Sequence, residues 1–179
     1  MTREVDGSAV ARDRAAFLGR FQPFHRGHHH VVKSYASRFD ELVIVVGSCQ
    51  VARTPRNPLS AAERRRIVAA CHPDLDQVFL PDEGRGAAGY EAWAHRLERE
   101  TKAAVIITRN DLVRRLVDSY TDMQLEAQPL IQPDRYSGTE IRRRIRAGEP
   151  WRELVPDCCA DLVAEYADVI RASGHESLE

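Results

Sequence analysis

The sequence predicts an α/β fold, a single domain in which helices cover both faces of a doubly wound parallel sheet. Short apolar runs alternate along the chain with stretches of helical periodicity, and this alternation is typical of β-α-β units. The clearest run, residues 42–46, is rich in β-branched side chains, as expected for a strand buried on both faces. The chain has 179 residues, a length that suits one domain better than two.

The elements can be assigned in chain order. Strands are predicted at residues 15–18, 42–46, 77–80, 103–108 and 124–128. Helices are predicted at residues 28–38, 60–71, 90–101 and 111–119. A further helix begins at the capping-box pair Ser137 and Glu140 and ends at residues 148–150, and a single last helix follows Pro156.

The two ends of the chain are predicted to be tails that flank a domain at residues 15–173. Residues 1–14 are polar and lack the apolar middle of a signal peptide, so they are expected to form a flexible tail, as are residues 174–179. No apolar run approaches the ~20 residues that a membrane span needs. The formal net charge of -1 argues against a dedicated nucleic-acid binder. A cytoplasmic protein without membrane or nucleic-acid partners is expected.

The four cysteines are expected to be buried or inert thiols of a reducing compartment. They show no CxxC spacing, and the adjacent Cys158 and Cys159 are not expected to pair with each other. The consecutive histidines at 28–30 do not predict a metal site, because consecutive helical residues point about 100° apart. His29 and His30 are interpreted as surface or packing residues, and no protein-bound metal is predicted.

Two histidines lie where an open parallel sheet binds its ligands. The segment Gly19 to His28 (GRFQPFHRGH) directly follows the first predicted strand, and the next helix is expected to begin near His28. Free backbone N–H groups at such a helix start suit an anion. Because two residues separate His25 from His28, both can face one polyphosphate. Histidine and arginine donors placed there would stabilise the negative charge that develops on phosphate oxygens during group transfer.

A second helix start carries hydroxyl groups and an arginine. In residues 136–142 (YSGTEIR), Ser137 and Thr139 lie at a helix N-terminus, and Arg142 follows one turn later. Hydroxyls, backbone N–H groups and a guanidinium together suit the oxyanions of a triphosphate. Capping boxes are common, so this element becomes informative only beside the histidine pair upstream.

Together, the two elements resemble the nucleotidyltransferase superfamily with the HxGH signature and a Rossmann-like fold. The closer resemblance is to nicotinamide-mononucleotide adenylyltransferases of the archaeal type. The matching stretches run in the family's order at residues 19–28, 46–48, 56–58, 63–64, 136–144 and 151–156. The resemblance implies that a mononucleotide phosphate attacks the α-phosphate of ATP, which gives a dinucleotide and pyrophosphate. It also implies Mg²⁺ carried by the ATP phosphates, and assembly as a homo-oligomer.

The resemblance assigns roles to residues of this chain. The catalytic residues are expected to be His25, His28, Arg20 and Arg142. The ATP site is expected to comprise Gly19, Arg20, Phe21, Gln22, His25, His28, Ser137, Thr139 and Arg142. The acceptor site is expected to comprise Trp93, Tyr90, Arg53, Arg56 and Asn110. Trp93 falls where such enzymes carry an aromatic that stacks on nicotinamide, and a core tryptophan is the alternative interpretation.

A glycine-rich segment at residues 84–89 (GRGAAG) matches the GxGxxG fingerprint of dinucleotide-binding folds. We do not interpret it as a dinucleotide site, because residues 81–83 separate it from the strand and carry carboxylates that would repel a pyrophosphate. It is either a flexible surface loop or, as the resemblance implies, part of the region that meets the acceptor base. Asp111, at the spacing of the fingerprint's acidic residue, is instead expected to cap the next helix. Since relatives carry a different pattern before Trp93, the acceptor stays open: nicotinamide mononucleotide, its acid form or another phosphorylated acceptor.

Two alternatives to this activity stay open. A transferase of the same fold could use CTP or a different phosphorylated acceptor. The chain could also be a non-catalytic nucleotide-binding regulatory module. Both histidines, Arg142 and the hydroxyls are present, which argues against such a module because a decayed site usually loses one of these groups.

Overall fold

The computed structural model describes residues 14–84 and 86–174 of the chain. The strands in this part are β1 (Arg14–Gly19), β2 (Glu41–Gly47), β3 (Gln77–Leu80), β4 (Val105–Thr108) and β5 (Gln124–Ala127). They form one five-stranded sheet in the order β3-β2-β1-β4-β5, and every pair of neighbours is parallel. The predicted α/β class with a doubly wound, Rossmann-like sheet is therefore confirmed.

The helices are α1 (Arg26–Ala36), α2 (Ala61–Cys71), α3 (Ala87–Thr101), α4 (Asp111–Tyr120), α5 (Gly138–Ala147), α6 (Asp157–Glu165) and α7 (Ala167–Ala172), with a short 3-10 helix at Arg152–Leu154. The prediction that α1 begins near His28 is wrong by two residues, because His25 takes the N-cap position. The prediction of a single last helix is also wrong. Tyr166 has φ -95° and ψ 6°, leaves helical geometry and separates α6 from α7.

The sheet is buried on both faces because its central strands are apolar throughout. Ile44 and Val46 of β2 pack in one cluster with α1, α2, α5, α6 and α7, whereas Val43 and Val45 pack in a second cluster with α3 and α4. Each branched side chain buried in this way contributes about 1.5–3 kcal/mol relative to exposure. The sheet is thus a firm support for the loops at its edge.

The carboxyl ends of β1 and β4 define a crevice. Along the chain the strands run outward from β1 through β2 to β3, and the chain then returns to place β4 on the other side of β1. The connections therefore diverge between β1 and β4, and such a switch point is where open α/β sheets bind ligands. Gly19 ends β1 and Thr108 ends β4, so the loop before α1 lies at this point.

A fully buried arginine, Arg64 of α2, holds the loops beside this crevice. Its Nη1 donates hydrogen bonds to the carbonyl oxygens of Arg20 at 3.0 Å and Gly47 at 2.8 Å. Its Nη2 donates to Ser48 O at 3.2 Å, and its Nε donates to Ser60 O at 3.3 Å. Burial lowers the pKa of this guanidinium. One side chain therefore joins the ends of β1 and β2 to the start of α2.

A disulfide joins Cys71 at the end of α2 to Cys158 near the start of α6. The expectation of four inert thiols is therefore wrong for these two residues, while Cys49 and Cys159 are free. The two paired cysteines are 87 residues apart in the chain, but the packing of α2 on α6 brings their Cα atoms to 5.2 Å. That separation is typical of disulfides, and nothing in the sequence spacing indicates it.

The predicted tails lie largely outside the described residues, which omit 1–13 and 175–179. Arg14, assigned by prediction to the N-terminal tail, is the first residue of β1, and its guanidinium pairs with Glu41 and Asp76. Within residues 14–84 and 86–174, no helix combines the length and apolar character needed to cross a membrane.

Replacing Arg64 with Met should lower the free energy of unfolding by about 3 kcal/mol or more, because the carbonyl oxygens of Arg20 and Gly47 lose this donor while most of the side-chain volume remains. Urea unfolding measures this change. Arg65→Met is the matched control, since Arg65 is exposed on the same helix and its loss should change stability by less than about 0.5 kcal/mol. Equal effects of the two substitutions would contradict the supporting role of Arg64.

Candidate active site

Three adjoining cavities form one cleft along the carboxyl ends of the strands. The first, about 180 Å³, lies at the starts of α1 and α5, and the second, about 240 Å³, lies at the ends of β1 and β4. The third, about 160 Å³, lies between α3 and α4. Arg109 and Gln128 line both the first and the second cavity, and Trp93 and Asn110 line both the second and the third. The three cavities are therefore neighbours along one edge of the sheet.

His25 and His28 form a reciprocal cap at the start of α1, in the first cavity. Nδ1 of His25 accepts a hydrogen bond from the backbone N–H of His28, and Nδ1 of His28 accepts one from the backbone N–H of His25, each at 3.3 Å. The two rings stack with their centroids 3.6 Å apart. Because both Nδ1 atoms are occupied, each imidazole has its Nε2 left for a ligand.

Both imidazoles are neutral at pH 7. Burial lowers the pKa of His25 from 6.5 to about 3. Burial, and next the charge of His25, lower the pKa of His28 well below 6.5. A neutral imidazole that accepts at Nδ1 carries its proton on Nε2. The pair therefore offers two Nε2–H donors at a helix N-terminus.

Aromatic rings pack around His28. The ring centroids of Phe21, Phe24 and Phe17 lie 4.8, 5.6 and 6.0 Å from that of His28. Phe21 is 1% exposed, so its ring belongs to the core and only its backbone can face ATP. Gly19 is needed beneath this ring, because a Cβ there would lie 2.7 Å from it. The aromatic packing fixes where the His28 ring points.

Gln22, a predicted ATP contact, has its side chain committed to the protein. Its Nε2 donates to Leu59 O at 2.8 Å, and its Oε1 accepts from Leu59 N at 2.9 Å. The backbone carbonyl of Gln22 accepts a hydrogen bond from Arg142 Nη1 at 2.7 Å. A Cβ at Gly138 would lie 2.8 Å from that same carbonyl oxygen. Glycine therefore lets the start of α5 approach the loop that carries the histidines.

Arg142 is a buried cation whose hydrogen-bond partners in the described part of the chain are uncharged. It is 6% exposed, and its Nη2 donates to Thr139 Oγ1 at 3.3 Å, while its Nε has no partner among those residues. Burial, followed by the charges of Arg20, Arg146 and Arg56, lowers the pKa of Arg142 to about 10. Arginines gathered in this way, without a carboxylate on Arg142, suit a polyanionic ligand.

The second predicted element lies in the same cavity as the first. Ser137 caps α5, with its Oγ accepting a hydrogen bond from the backbone N–H of Glu140 at 3.2 Å. Ser137 and Gly138 line the cavity that His25 and His28 line from the other side. Two helix N-termini, with their free N–H groups, therefore face one cavity, and each favours an anion.

The predicted acceptor residues Tyr90, Trp93 and Asn110 meet in the third cavity. Trp93 is half-buried, and one part of it packs against the second hydrophobic cluster. Asn110 is the N-cap of α4, and its Oδ1 accepts hydrogen bonds from two backbone N–H groups of the first turn. The expectation that Asp111 caps this helix is therefore wrong by one residue.

The predicted acceptor residues Arg53 and Arg56 do not line that cavity. Arg53 forms a paired ionic contact with Glu63, with Nη1–Oε2 at 2.6 Å and Nη2–Oε1 at 2.7 Å, and it donates to Pro58 O at 2.8 Å. The charge of Arg56, after desolvation, lowers the pKa of Arg20. Arg56 therefore belongs with the arginines around Arg142, and Arg53 is held by its carboxylate partner.

The GxGxxG segment follows β3, an edge strand, and so lies away from the switch point between β1 and β4. A Cβ at Gly89 would lie 1.8 Å from the carbonyl oxygen of Gly84. Gly89 lies in the first turn of α3, where glycine lets the helix approach the loop at Gly84. It also lines the third cavity, so the interpretation as a surface loop is wrong for this end of the segment.

Comparison with known proteins gives a consistent result. Residues 16–144 match the family described as cytidylyltransferase-like. Nicotinamide-nucleotide adenylyltransferase from Methanolobus tindarius is 36% identical over 163 residues, which cover 88% of this chain and 91% of that protein. The protein of the same name from Halobacterium salinarum is 34% identical over 173 residues, covering 92% of this chain and 97% of that protein. This chain belongs to the nicotinamide-nucleotide adenylyltransferase family. It is therefore a nucleotidyltransferase, as the HxGH segment predicts.

Solved structures share the fold of this family member. The bifunctional NMN adenylyltransferase/ADP ribose pyrophosphatase of Francisella tularensis, complexed with AMP and a manganese ion, superposes with a TM-score of 0.70 at 18% identity. Thermotoga maritima TmcAL, bound with alpha-thio ATP, gives a TM-score of 0.65 at 11% identity. The matches cover 90% and 87% of this chain but 52% and 56% of those chains, so this chain spans about half of each. At such identities the likeness concerns the fold alone.

Two residues line the cleft of this nucleotidyltransferase but are not among the site residues predicted from the sequence. Arg109 and Gln128 line both the first and the second cavity. The available signal is their place directly after β4 and β5, because the carboxyl ends of parallel strands meet at one edge of a sheet. Arg64 has no comparable signal, because the sequence does not distinguish this buried arginine from the exposed arginines that follow it on α2.

Replacing His25 with Asn, which keeps a capping oxygen, should weaken the loss of stability on acidification. In the unfolded chain His25 binds a proton below pH 6.5, but in the folded chain its pKa is about 3. The free energy of unfolding therefore falls as the pH falls from 6.5 towards 3. At pH 5 this one residue accounts for about 2 kcal/mol. Urea unfolding at pH 7 and pH 5 measures the difference. His30→Asn, on the exposed side of α1, should behave as the wild type, and identical pH dependence in all three proteins would refute the buried neutral state of His25.

Proposed function

We propose that this chain transfers AMP from ATP to the phosphate of nicotinamide mononucleotide, which yields NAD and pyrophosphate. The observation that carries the proposal is the row of neighbouring cavities that runs from His25 and His28 to Trp93 along the carboxyl ends of the strands. A polyphosphate suits the end with histidines and arginines, and an aromatic acceptor suits the other. The relatives at 36% and 34% identity carry the name of this activity.

The triphosphate is proposed to bind between the starts of α1 and α5. Backbone N–H groups at both helix ends, and the hydroxyl groups of Ser137 and Thr139, can donate to phosphate oxygens. Arg142 has uncharged hydrogen-bond partners, so a phosphate would supply the counter-charge for its buried guanidinium. Arg20 and Arg56 add positive charge close by, as their effect on the pKa of Arg142 indicates.

The chain's contribution to the reaction follows from this placement. An oxygen of the acceptor phosphate attacks the α-phosphorus of ATP, and the bond from that phosphorus to the bridging oxygen of pyrophosphate breaks. Negative charge grows on the bridging oxygen and on the oxygens of the leaving group. The Nε2–H groups of His25 and His28 are already fixed by their reciprocal cap, so they can stabilise this charge with little reorganisation. Positioning and electrostatics then supply most of the catalysis.

A divalent metal ion, expected to be Mg²⁺, is proposed to enter with ATP. His25, His28 and Arg109 line the first cavity, and these nitrogen groups do not suit Mg²⁺, which prefers oxygen ligands. The ion would be held by phosphate oxygens and water, where it would neutralise part of the phosphate charge. The residues around it fit this arrangement, because they bind phosphate directly and leave the metal to the nucleotide.

The acceptor is proposed to be the amide rather than the acid form of the mononucleotide. Trp93 would stack on the pyridine ring, and the carboxylates of Asp82 and Glu83 line the same cavity. Arg96 pairs with Glu83 at 3.0 Å. The Asp82 carboxylate accepts hydrogen bonds from two uncharged groups, Ser48 Oγ at 3.1 Å and Gln50 Nε2 at 3.2 Å, and so keeps its negative charge. A carboxamide can donate a hydrogen bond to that carboxylate, whereas a ring carboxylate would be repelled by it.

Other features of the proposal rest on the family resemblance. Homo-oligomeric assembly, a cytoplasmic location and the absence of a nucleic-acid partner stay predictions. The description of the matching family as cytidylyltransferase-like makes CTP the alternative nucleotide to include in any test.

A pyrophosphate-release assay tests the activity. The chain with Mg²⁺ is given ATP or CTP, together with nicotinamide mononucleotide, nicotinate mononucleotide or a phosphorylated acceptor that lacks a pyridine ring, and products are identified by mass spectrometry. We expect ATP with nicotinamide mononucleotide to react fastest and to give NAD. If pyrophosphate is released only when CTP is the nucleotide, or only with one of the other acceptors, the proposed substrates are wrong and the reacting pair takes their place. Nucleotide binding without release from any pair would indicate a non-catalytic module.

In the same assay, His28→Asn keeps an acceptor for the His25 N–H but lacks the Nε2 donor, and it should lower kcat by ~100-fold, whereas His30→Asn should not.

Replacing Trp93 with Ala should raise the KM for nicotinamide mononucleotide by about ten-fold and leave the KM for ATP nearly unchanged, because ring stacking is lost at the acceptor end alone. Trp93→Phe keeps an aromatic ring and should recover most of the affinity. Steady-state kinetics measures both values. A lower free energy of unfolding with unchanged KM values would mean that Trp93 is only a core residue.

A further inference from the structure

A cluster of sulfur and nitrogen atoms lies outside the cleft cavities, where α1, α2 and α6 meet. His29 comes from α1, Cys71 is the last residue of α2, and Cys158 lies in the first turn of α6. One ligand atom from each of these residues lies within 4.8 Å of the others. Among the described residues, this is the group of three potential metal ligands that lie close together. Three separate elements supply the three side chains, so the cluster is a product of folding.

The His29 ring is held by a second histidine. Nδ1 of His29 lies 3.0 Å from Nε2 of His72, which follows Cys71 in the chain, and the ring centroids are 4.9 Å apart. The contact occupies one ring nitrogen of His29 and leaves Nε2 for another partner. Metal-ligating histidines commonly have this arrangement, with one nitrogen on the metal and the other in a hydrogen bond.

We propose that His29 Nε2 and the thiolates of Cys71 and Cys158 form a zinc site in the reduced protein, and that the Cys71–Cys158 disulfide is its oxidised, metal-free state. Two sulfurs and an imidazole nitrogen are ligands that favour Zn²⁺ over Mg²⁺ or Ca²⁺. In a tetrahedral zinc complex, such ligand atoms lie about 3.5–3.8 Å apart, given Zn–N near 2.0 Å and Zn–S near 2.3 Å. All the ligand atoms lie within 4.8 Å of one another, so side-chain rotations that separate the two sulfurs and bring the imidazole nitrogen nearer can reach those separations once the S–S bond is broken.

The fourth coordination position faces solvent. Cys158 is exposed, whereas His29 and Cys71 are half-buried. A water molecule or a small anion can therefore complete a tetrahedron around the ion, as in zinc sites with three protein ligands. This metal differs in ligand chemistry from the ion proposed to enter with ATP.

The exchange between the two states balances with a small-molecule disulfide as oxidant. When zinc binds, the thiols of Cys71 and Cys158 release their two protons to solvent. On oxidation, the two thiolates give two electrons to the reagent's S–S bond, which becomes two small thiolates. The Cys71–Cys158 bond forms and Zn²⁺ leaves. Small thiols reverse the step and regenerate the ligands.

The site neighbours the catalytic histidines but is separate from them. His29 directly follows His28, and the Phe24 ring lies 5.6 Å from that of His28, 6.4 Å from that of His29 and 5.7 Å from that of His72. The proposed zinc site does not depend on the proposed adenylyl transfer, because its ligands lie outside the cleft. Its test can therefore be made without ATP and without any activity measurement.

Metal binding is measured on the full chain after reduction with a phosphine, under anaerobic conditions and without nucleotide. We expect one Zn²⁺ per chain by elemental analysis. Substitution by Co²⁺ should give a thiolate-to-cobalt charge-transfer band and the ligand-field bands of a tetrahedral complex. Oxidised glutathione should release the metal, and peptide mapping should then find the Cys71–Cys158 disulfide.

Variants assign the ligands. Cys158→Ser and His29→Gln should lower zinc affinity by ~100-fold or more and remove or alter the cobalt bands. Cys49→Ser, a free thiol outside the cluster, and His30→Gln, the next residue of α1, should bind as the wild type. A Cys71→Ser/Cys158→Ser double variant with a wild-type circular dichroism spectrum separates loss of ligands from loss of fold. The proposal is overturned if the reduced wild type binds no zinc, or if the folded double variant binds zinc equally well.

Discussion

The buried guanidinium of Arg64 is the interaction on which the active-site framework depends. Its hydrogen bonds go to backbone carbonyls at the ends of β1 and β2 and at the start of α2. A planar group with five donors can serve several such carbonyls from one position. The loop after β1 thereby has a fixed course that ends with His25 at the cap of α1. The bonds of Gln22 to Leu59 and to Arg142 extend the framework to the segment before α2 and to α5.

The same framework holds charges that the free protein leaves unmatched. Arg142 lies among other arginines, and their repulsion opposes folding. His25 and His28 are kept neutral by burial, so the phosphate end of the cleft holds donors rather than additional fixed positive charge. A polyphosphate bound there would offset the repulsion between the arginines. Its oxygens would accept hydrogen bonds from the Nε2–H groups of the two histidines. The site is thus built before the ligand arrives, and the ligand completes its electrostatics.

Much of this arrangement could be predicted from the sequence, because local patterns determine it. The β-branched run of β2 predicts a buried parallel strand, and two histidines spaced three apart after a strand predict a shared anion site. Other features depend on packing that no local pattern encodes. The side chain of Gln22 turns to Leu59, Arg53 is taken up by Glu63, and Cys71 meets Cys158 only because α2 packs on α6. Segments far apart in the chain determine these contacts, so spacing rules do not reveal them.

The reciprocal cap of His25 and His28 has a thermodynamic consequence for ligand binding. Phosphate charge beside the two rings would raise their pKa values above those of the free protein, so a complex would hold protons at these rings more tightly than the free chain does. By linkage, the affinity for the polyphosphate must then rise as pH falls between the free and bound pKa values. Acid would therefore have two opposite effects: it lowers the free energy of unfolding of the ligand-free chain, and it would raise the affinity of the folded chain for the polyphosphate. The proton acts as a co-ligand of the nucleotide, and the heat of binding will vary with the ionisation enthalpy of the buffer.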